Sequence, residues 1–243
     1  TRQPDNRIVA RNLSAALLRQ GKLDAAFARL QALVKAQPDW PDAAHMFGVC
    51  LEEMDQVDPA IAAFGRALAL APARTDTALA LVRMFERRRD PHAAREILDN
   101  TLRANPNVAR LWSRLAQHLE RTSQIDAPND AAQSALRLDA GDPVALTVLV
   151  QTAAREKNHA TARDRVRDSQ DIIRGSHAEI RFSYAAGRVC EAAGEYKDAF
   201  DFYSRANDLV RELPRARRTK SQEHLSHLQT SRQAFEASPS VFS

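Results

Sequence analysis

Hydrophobic and polar positions along this chain recur every 34 residues. With the first period starting at Arg7, large apolar residues recur at positions 7 and 11, and small residues recur at positions 20 and 27. Prolines stand at position 32 of the first three periods, as Pro38, Pro72 and Pro106. Small residues allow two helices to cross closely, so the pattern predicts two stacked helices per period and an all-α fold.

The second period is the most regular, and it carries Gly48, Leu51, Ala60, Phe64, Ala67 and Pro72. This layout resembles the tetratricopeptide repeat, a 34-residue helix–turn–helix unit. The resemblance implies a right-handed α-solenoid of about six such repeats with a C-terminal capping helix. We expect a single solenoid over residues 1–243, with repeats at about 7–40, 41–74, 75–108, 109–142, 143–176 and, after a slip of three residues, 180–213.

Two segments depart from the regular pattern. Pro128 occupies the small-residue position of the fourth repeat, which predicts that the second helix there starts late, with the proline in its first turn. After the sixth repeat, Thr219 and Gln222 have the spacing of a capping box, and Leu225, Leu228 and Phe235 share roughly one helix face. We therefore expect a capping helix at about 219–237, which would cover the last apolar face of the solenoid.

The composition is typical of helices, and the sequence contains few patterns that indicate catalysis or metal binding. The chain has only 7 glycines, and its net charge is +4 with a pI near 9.4. Cys50 and Cys190 have no partner spacing and are interpreted as buried thiols. His224 and His227 lack further ligands nearby, and no phosphate loop or Cys/His metal spacing is present. We predict no catalytic residues, no cofactor and no metal, and no nucleic-acid partner because the basic run 211–220 lacks stacking aromatic residues.

No apolar stretch approaches the ~20 residues that span a membrane, and no signal peptide is recognisable. The chain begins at Thr1 rather than at methionine, so we interpret its N-terminus as trimmed. We expect a cytoplasmic protein.

In a tetratricopeptide array the first helices line a concave groove, and the resemblance places a set of polar residues there. The candidate partner-binding residues are Arg83, Arg110, Arg114, Gln117, Arg121, Gln151, Arg181, Tyr184 and Arg188. Arginines suit carboxylates, so one hypothesis is a groove over repeats three to six that binds an acidic or extended peptide. The alternative is a solvated face of mixed charge. The clamp that some family members use for chaperone tails is not expected, since only Arg110 and Arg114 match it.

The function predicted from the repeats is a protein–protein interaction scaffold that binds a peptide or a partner domain. Dimerisation through the terminal helix stays open. The alternative rests on a second resemblance: residues 182–207, with Ala206-Asn207 followed by Pro214, Phe235 and Phe242, are similar to the last repeat of bacterial tetratricopeptide sulfotransferases. That resemblance implies an accessory region preceding a catalytic domain that this chain does not contain.

Overall fold

The computed structural model describes residues 4–122 and 127–213. These residues form twelve helices and no strand, which confirms the all-α prediction. In chain order the helices are α1 (Pro4–Arg19), α2 (Leu23–Ala36), α3 (Pro41–Glu53), α4 (Val57–Leu70), α5 (Thr75–Arg87), α6 (Pro91–Ala104), α7 (Ala109–Arg121), α8 (Ala127–Leu138), α9 (Pro143–Arg155), α10 (His159–Ile173), α11 (Glu179–Ala192) and α12 (Tyr196–Glu212). The capping helix predicted at 219–237 lies outside the described residues.

The chain divides into two compact units, Thr1–Gln124 and Ile125–Ser243. The first unit contains α1 to α7, and the second contains α8 to α12. Odd-numbered helices are called first helices below and even-numbered helices second helices. In each unit a first helix packs on the second helix that follows it, and that second helix packs on the next first helix.

Prolines and short polar residues mark where helices begin. Pro41, Pro91 and Pro143 each occupy the first turn of a helix, where a missing N–H breaks no hydrogen bond. Asp90 caps α6 by accepting the Ala93 N–H at 3.0 Å. Asp142 caps α9 through two backbone N–H groups, both at 2.9 Å. The starts of these three helices are therefore set by local sequence.

The position-32 prolines mark where helices end. Helices α2, α4 and α6 end two residues before Pro38, Pro72 and Pro106 respectively. Proline cannot continue a helix, so each of these prolines ends its helix at the point where the chain turns toward the next repeat. Pro128, predicted to sit in a first helical turn, lies in the first turn of α8.

The turns inside five helix pairs, α1–α2, α3–α4, α5–α6, α9–α10 and α11–α12, use a left-handed residue at position 15. Glycine provides it at Gly21 and Gly194, whereas Asp55, Arg89 and Lys157 adopt φ values of 61°, 60° and 58°. In each case the next residue donates its N–H to a carbonyl in the last turn of the first helix, as in a Schellman motif. The sequence pattern did not single out this position, because three of these five turns use residues other than glycine.

In the first unit, Gly48 on α3 lies in close contact with the Phe64 ring on α4. A Cβ atom at Gly48 would lie 2.6 Å from Phe64 Cδ1. Phe64 is fully buried and packs in a cluster with Leu51, Leu81 and Met84. Glycine at position 8 thus lets an aromatic ring at position 24 enter the space between the two helices.

The second unit contains an equivalent contact between a glycine and an aromatic ring, and it also contains the buried carboxylate of Glu179. A Cβ atom at Gly187 would lie 2.5 Å from the Tyr203 ring. At the α10–α11 connection, Glu179 is buried and accepts the Gly175 N–H at 2.7 Å and Arg205 Nε at 2.8 Å. Burial raises the pKa of Glu179, but these donors outweigh burial and hold its pKa below the ordinary value. The carboxylate therefore ties the turn before α11 to helix α12.

Candidate partner-binding surfaces

First helices of the first unit are joined by ion pairs between arginines and carboxylates. Arg83 on α5 binds both oxygens of Glu52 on α3, through Nε at 3.2 Å and Nη2 at 3.0 Å. Arg110 on α7 lies 3.4 Å from Asp76 on α5. Each arginine thus contacts the first helix of the preceding repeat, and the pairs form a polar surface along α3, α5 and α7.

The centre of this surface is Glu86, whose side chain is only 12 % exposed. Its Oε2 pairs with Arg114, and its Oε1 lies 3.2 Å from Arg121 Nη1 and 3.7 Å from His118 Nδ1. Burial raises the pKa of Glu86, but the neighbouring His118 imidazole and the positive charges of Arg114 and Arg121 outweigh burial, so the net shift of this pKa is downward. Glu86 is therefore an ionised carboxylate at neutral pH, held by three side chains of α7.

The five candidates in the first unit differ in their access to solvent. Arg114 is 19 % exposed and also donates to Gln117 Oε1, so it belongs to the interior of the cluster. Arg83 and Arg121 are about half exposed, and Arg110 is 70 % exposed. Of the five candidates, only Arg83, Arg110 and Arg121 present guanidinium groups to an incoming molecule. The structure therefore separates one structural arginine from three accessible ones.

The four candidates in the second unit lie on α9 and α11. Tyr184 donates its hydroxyl to Asn207 Oδ1 at 3.1 Å, and Arg188 is exposed one turn further along α11. Arg181 is partly buried on the same helix. Gln151 on α9 has a buried Oε1 that hydrogen-bonds to no described residue. Helices α9 and α11 pack together, so these four candidates lie on neighbouring helices of the second unit.

Sequence reasoning identified the arginines but missed the carboxylates as their partners. The signal was present, because position 12 holds Glu52, Glu86 and Glu120 at intervals of 34 residues. A periodic glutamate beside periodic arginines indicates pairing between neighbouring repeats. The mixed-charge face that we considered as the alternative agrees with these pairs.

A cleft of about 600 Å³ lies in the second unit between α10 and α12. Its charged lining is basic at α10 and largely acidic at α12. Arg163 and Arg167 lie on α10 and Arg174 follows it, whereas Asp198 and Asp201 lie on α12 and Glu195 precedes it. Arg163 pairs with Glu195, so part of this charge is neutralised internally. Cys190 of α11 also lines the cleft, and burial raises its pKa to about 11. Its thiol is therefore protonated at neutral pH and is a poor nucleophile.

Within residues 4–122 and 127–213, no group of three or more His, Cys, Asp or Glu side chains could hold a metal ion. Cys50 and Cys190 are both buried and unpaired, as predicted. None of the described helices is both long enough and apolar enough to cross a membrane.

Comparisons with known proteins agree with this geometry. The family model described as tetratricopeptide repeat matches residues 75–118, which comprise α5, α6 and most of α7. The helix pairs of the described residues have the tetratricopeptide fold. No match was found among curated proteins.

Solved structures with the same tetratricopeptide fold include MamA from Desulfovibrio magneticus RS-1, with a TM-score of 0.60 and 21 % identity over 70 % of this chain and 96 % of that one. PilF from Pseudomonas aeruginosa has a TM-score of 0.68 and 15 % identity over 90 % of this chain and 98 % of that one. PilW, described as a widely conserved type IV pilus biogenesis factor, has a TM-score of 0.69 and 15 % identity over 88 % of this chain and 96 % of that one. These likenesses establish the tetratricopeptide fold.

Proposed function

We propose that this chain is a protein-interaction scaffold with no chemistry of its own. Its tetratricopeptide repeats and its scaffold-type structural neighbours support this role. We further propose that the first-helix surface of α5 and α7 binds an extended partner segment that carries carboxylates. The observation that carries the proposal is the set of accessible arginines, Arg83, Arg110 and Arg121, around the partly buried Glu86–Arg114 pair.

The ion pairs that these arginines already form do not prevent them from binding the carboxylates of a partner. Arg110 and Asp76 are about 70 % exposed and 3.4 Å apart, and such surface pairs contribute only about 0–1 kcal/mol. Breaking the Arg110–Asp76 pair to admit a partner carboxylate therefore costs little free energy. A guanidinium has five N–H donors, and Arg83 uses two of them on Glu52. The remaining donors can bind a second carboxylate without breaking the first pair.

The test uses fluorescein-labelled 12-residue peptides rich in Glu and matched peptides with Gln at the same positions, titrated by fluorescence anisotropy. The Glu peptides should bind, the Gln peptides should bind at least tenfold more weakly, and added salt should weaken binding because exposed charges are screened. The variant Arg110→Ala/Arg121→Ala should lose about tenfold in affinity, which corresponds to about 1.4 kcal/mol.

The matched control is Arg95→Ala/Arg103→Ala, which removes two arginines from the second helix α6 and leaves the surface intact. Arg114→Ala is unsuitable, because it would leave Glu86 buried without its main partner. Equal affinity of the two double variants, or of the Glu and Gln peptides, would refute the carboxylate-binding surface. The fold would then still be a scaffold, with its partner bound elsewhere.

The second-unit residues Gln151, Arg181, Tyr184 and Arg188 stay predictions, as does dimerisation through the terminal helix. The comparisons offer no support for the sulfotransferase alternative. Of the residues behind it, Ala206 and Asn207 lie on α12, where Asn207 accepts the Tyr184 hydroxyl. Pro214, Phe235 and Phe242 lie outside the described residues.

A further inference from the structure

The fifth repeat has polar residues at two positions that are apolar in the four repeats before it. Position 28 of those repeats holds Val34, Leu68, Leu102 and Leu136. Position 32 holds Pro38, Pro72, Pro106 and Ala140. In the fifth repeat these positions are Gln170 and Arg174, and both side chains line the cleft between α10 and α12. The two changes therefore fall at the cleft.

Position 28 fills the space between a second helix and the next repeat. Val34 packs against the cluster that contains Ala43 of α3, and Leu68 packs against the cluster that contains Leu81 of α5. Gln170 is polar at this position, and the connection from α10 to α11 has five residues, where the four earlier repeats are joined to the next by four. The space that an apolar side chain fills in earlier repeats is therefore lined by a polar one here.

Charges of opposite sign line the two sides of this cleft. The residues are Arg163, Arg167 and Arg174 at α10, and Glu195, Asp198 and Asp201 at α12. Arg163 pairs with Glu195, whereas Asp198 and Asp201 form no ion pair with another described residue. The cleft thus has one basic side and one acidic side, and most of its charges are not paired across it.

Two of the arginines pair with neighbours on their own helix. Arg167 lies 3.3 Å from Asp164, and Arg174 lies 4.0 Å from Asp171. All four of these side chains are at least 66 % exposed, and such surface pairs contribute little to stability. Both guanidinium groups can therefore turn to a carboxylate that enters the cleft.

The balance of charge and the apolar lining restrict what the cleft can bind. A chain of carboxylates would be repelled by the α12 side, and a chain of cations would be repelled by the α10 side. Val166, Cys190 and Phe202 supply the apolar part of the lining, which suits the methylene groups of Glu and Lys side chains. The cleft therefore favours a ligand that carries both charges, each on its own side.

The dimensions of the cleft favour an extended peptide over a helix. Arg163 and Arg174 are eleven residues apart, which corresponds to about 16 Å along α10. About five residues of extended chain cover that length. A helix is about 10–12 Å wide, so the same length of helix needs at least about 1,200 Å³, whereas the cleft has about 600 Å³.

We propose that the cleft between α10 and α12 binds an extended peptide segment in which acidic and basic residues alternate. Successive side chains of an extended chain point to opposite sides. The acidic residues of such a segment all face the arginines at α10, and its basic residues all face Asp198 and Asp201. This site uses the second helices of the second unit, so it is separate from the carboxylate-binding surface of α5 and α7.

The test titrates two fluorescein-labelled decapeptides of identical composition with the 243-residue chain and follows their fluorescence anisotropy. One peptide alternates Glu and Lys, and the other has five Glu followed by five Lys. The second peptide cannot place each charge on its own side, and its Glu–Lys pairs four residues apart favour a helix. The alternating peptide should bind at least tenfold more tightly, and added salt should weaken its binding.

Charge reversal locates the site. Arg167→Glu/Arg174→Glu makes both sides acidic, so the alternating peptide should bind at least tenfold more weakly, and a peptide that alternates Ser and Lys should bind more tightly than it does to the unaltered chain. The control is Arg137→Glu/Arg211→Glu, which changes the net charge of the second unit equally at positions outside the cleft lining. This control should leave both affinities unchanged.

Three results would overturn the proposal. The first is equal or tighter binding of the block peptide. The second is an equal effect of the two reversal variants, since net charge alone would then explain it. The third is loss of alternating-peptide binding in Arg110→Ala/Arg121→Ala, which would assign the peptide to the surface of the first unit. If Arg167→Glu/Arg174→Glu loses helical circular dichroism, Asp201→Lys decides the question. It should weaken the alternating peptide and strengthen one that alternates Ser and Glu, and unchanged affinities would reject the site.

Discussion

The contact between Gly48 and Phe64 predicts that a single added methyl group will destabilise the first unit. In Gly48→Ala, the new Cβ atom would lie 2.6, 2.7 and 2.9 Å from three atoms of the Phe64 ring. Carbon atoms in contact normally stay about 3.5–4.0 Å apart, so the overlap is about 1 Å. Phe64 is fully buried, so its ring cannot swing into solvent.

Two opposing effects set the magnitude. Overpacking a filled core costs about 1–3 kcal/mol, and the rigid, buried ring places this site near the upper end. Replacing a helical glycine by alanine returns about 1 kcal/mol through helix propensity. The expected net loss is therefore about 1–2 kcal/mol, which corresponds to a fall in Tm of several degrees for a chain of this size.

A matched control lies in the same repeat. Gly65 is a helical glycine of α4, and a Cβ atom there would meet nothing within 4 Å. Gly65→Ala should therefore stabilise the protein by up to about 1 kcal/mol, through propensity alone. The double variant Gly48→Ala/Phe64→Leu should be less destabilised than the sum of its single changes, because the smaller side chain relieves the overlap.

The assay is urea unfolding followed by circular dichroism at 222 nm, with a separate fluorescence probe to detect units that unfold independently. If Gly48→Ala proves as stabilising as Gly65→Ala, the Phe64 ring does not pack on Gly48 and the proposed cause is wrong. Gly187→Ala, which would bring a Cβ atom to 2.5 Å from the Tyr203 ring, should repeat the result in the second unit.

The remaining predictions concern the turns, the buried carboxylates and a thiol. Lys157→Gly should stabilise by about 0.5–1 kcal/mol, since Lys157 has a φ of 58°, whereas Glu156→Gly should destabilise in the same unfolding assay; equal effects would contradict the assigned turn. Glu86 and Glu179 have lowered pKa values in the folded protein, so the stability that their ionised forms contribute is complete above about pH 4.3 and is lost as the pH falls through the folded pKa values. In acid titrations, Glu86→Gln and Glu179→Gln should therefore lose less stability with falling pH than the unaltered chain. Unchanged titration curves would contradict a contribution from these two carboxylates. Cys190, with a pKa of about 11, should react about two orders of magnitude more slowly with a thiol reagent at pH 8 than an unperturbed cysteine; a rate equal to that of the urea-unfolded chain would refute its burial.

Much of the fold could be predicted from local rules. The period locates helix pairs because apolar positions must share a helix face, and prolines such as Pro72 must stand where a helix ends. Gly48 and Ala60 are small residues at recurring positions, so they indicate where two helices approach closely. These features depend on residues near one another in the chain, so the pattern alone carries them. The left-handed turn at Lys157 was missed because its conformation is imposed by the flanking helices and not by its own preference.

The sequence by itself determined the tetratricopeptide pattern of helix pairs and the polar residues that their first helices carry. Only the tertiary structure decided what those polar residues do. Arg114 and Arg110 are equally charged in the sequence, yet one is buried against Glu86 and the other is exposed to solvent. The difference arises because the packing of α5 and α7 places Arg114, and not Arg110, against the largely covered carboxylate of Glu86. Ion pairing between helices depends on side-chain placement within a few ångströms, which a 34-residue period does not specify.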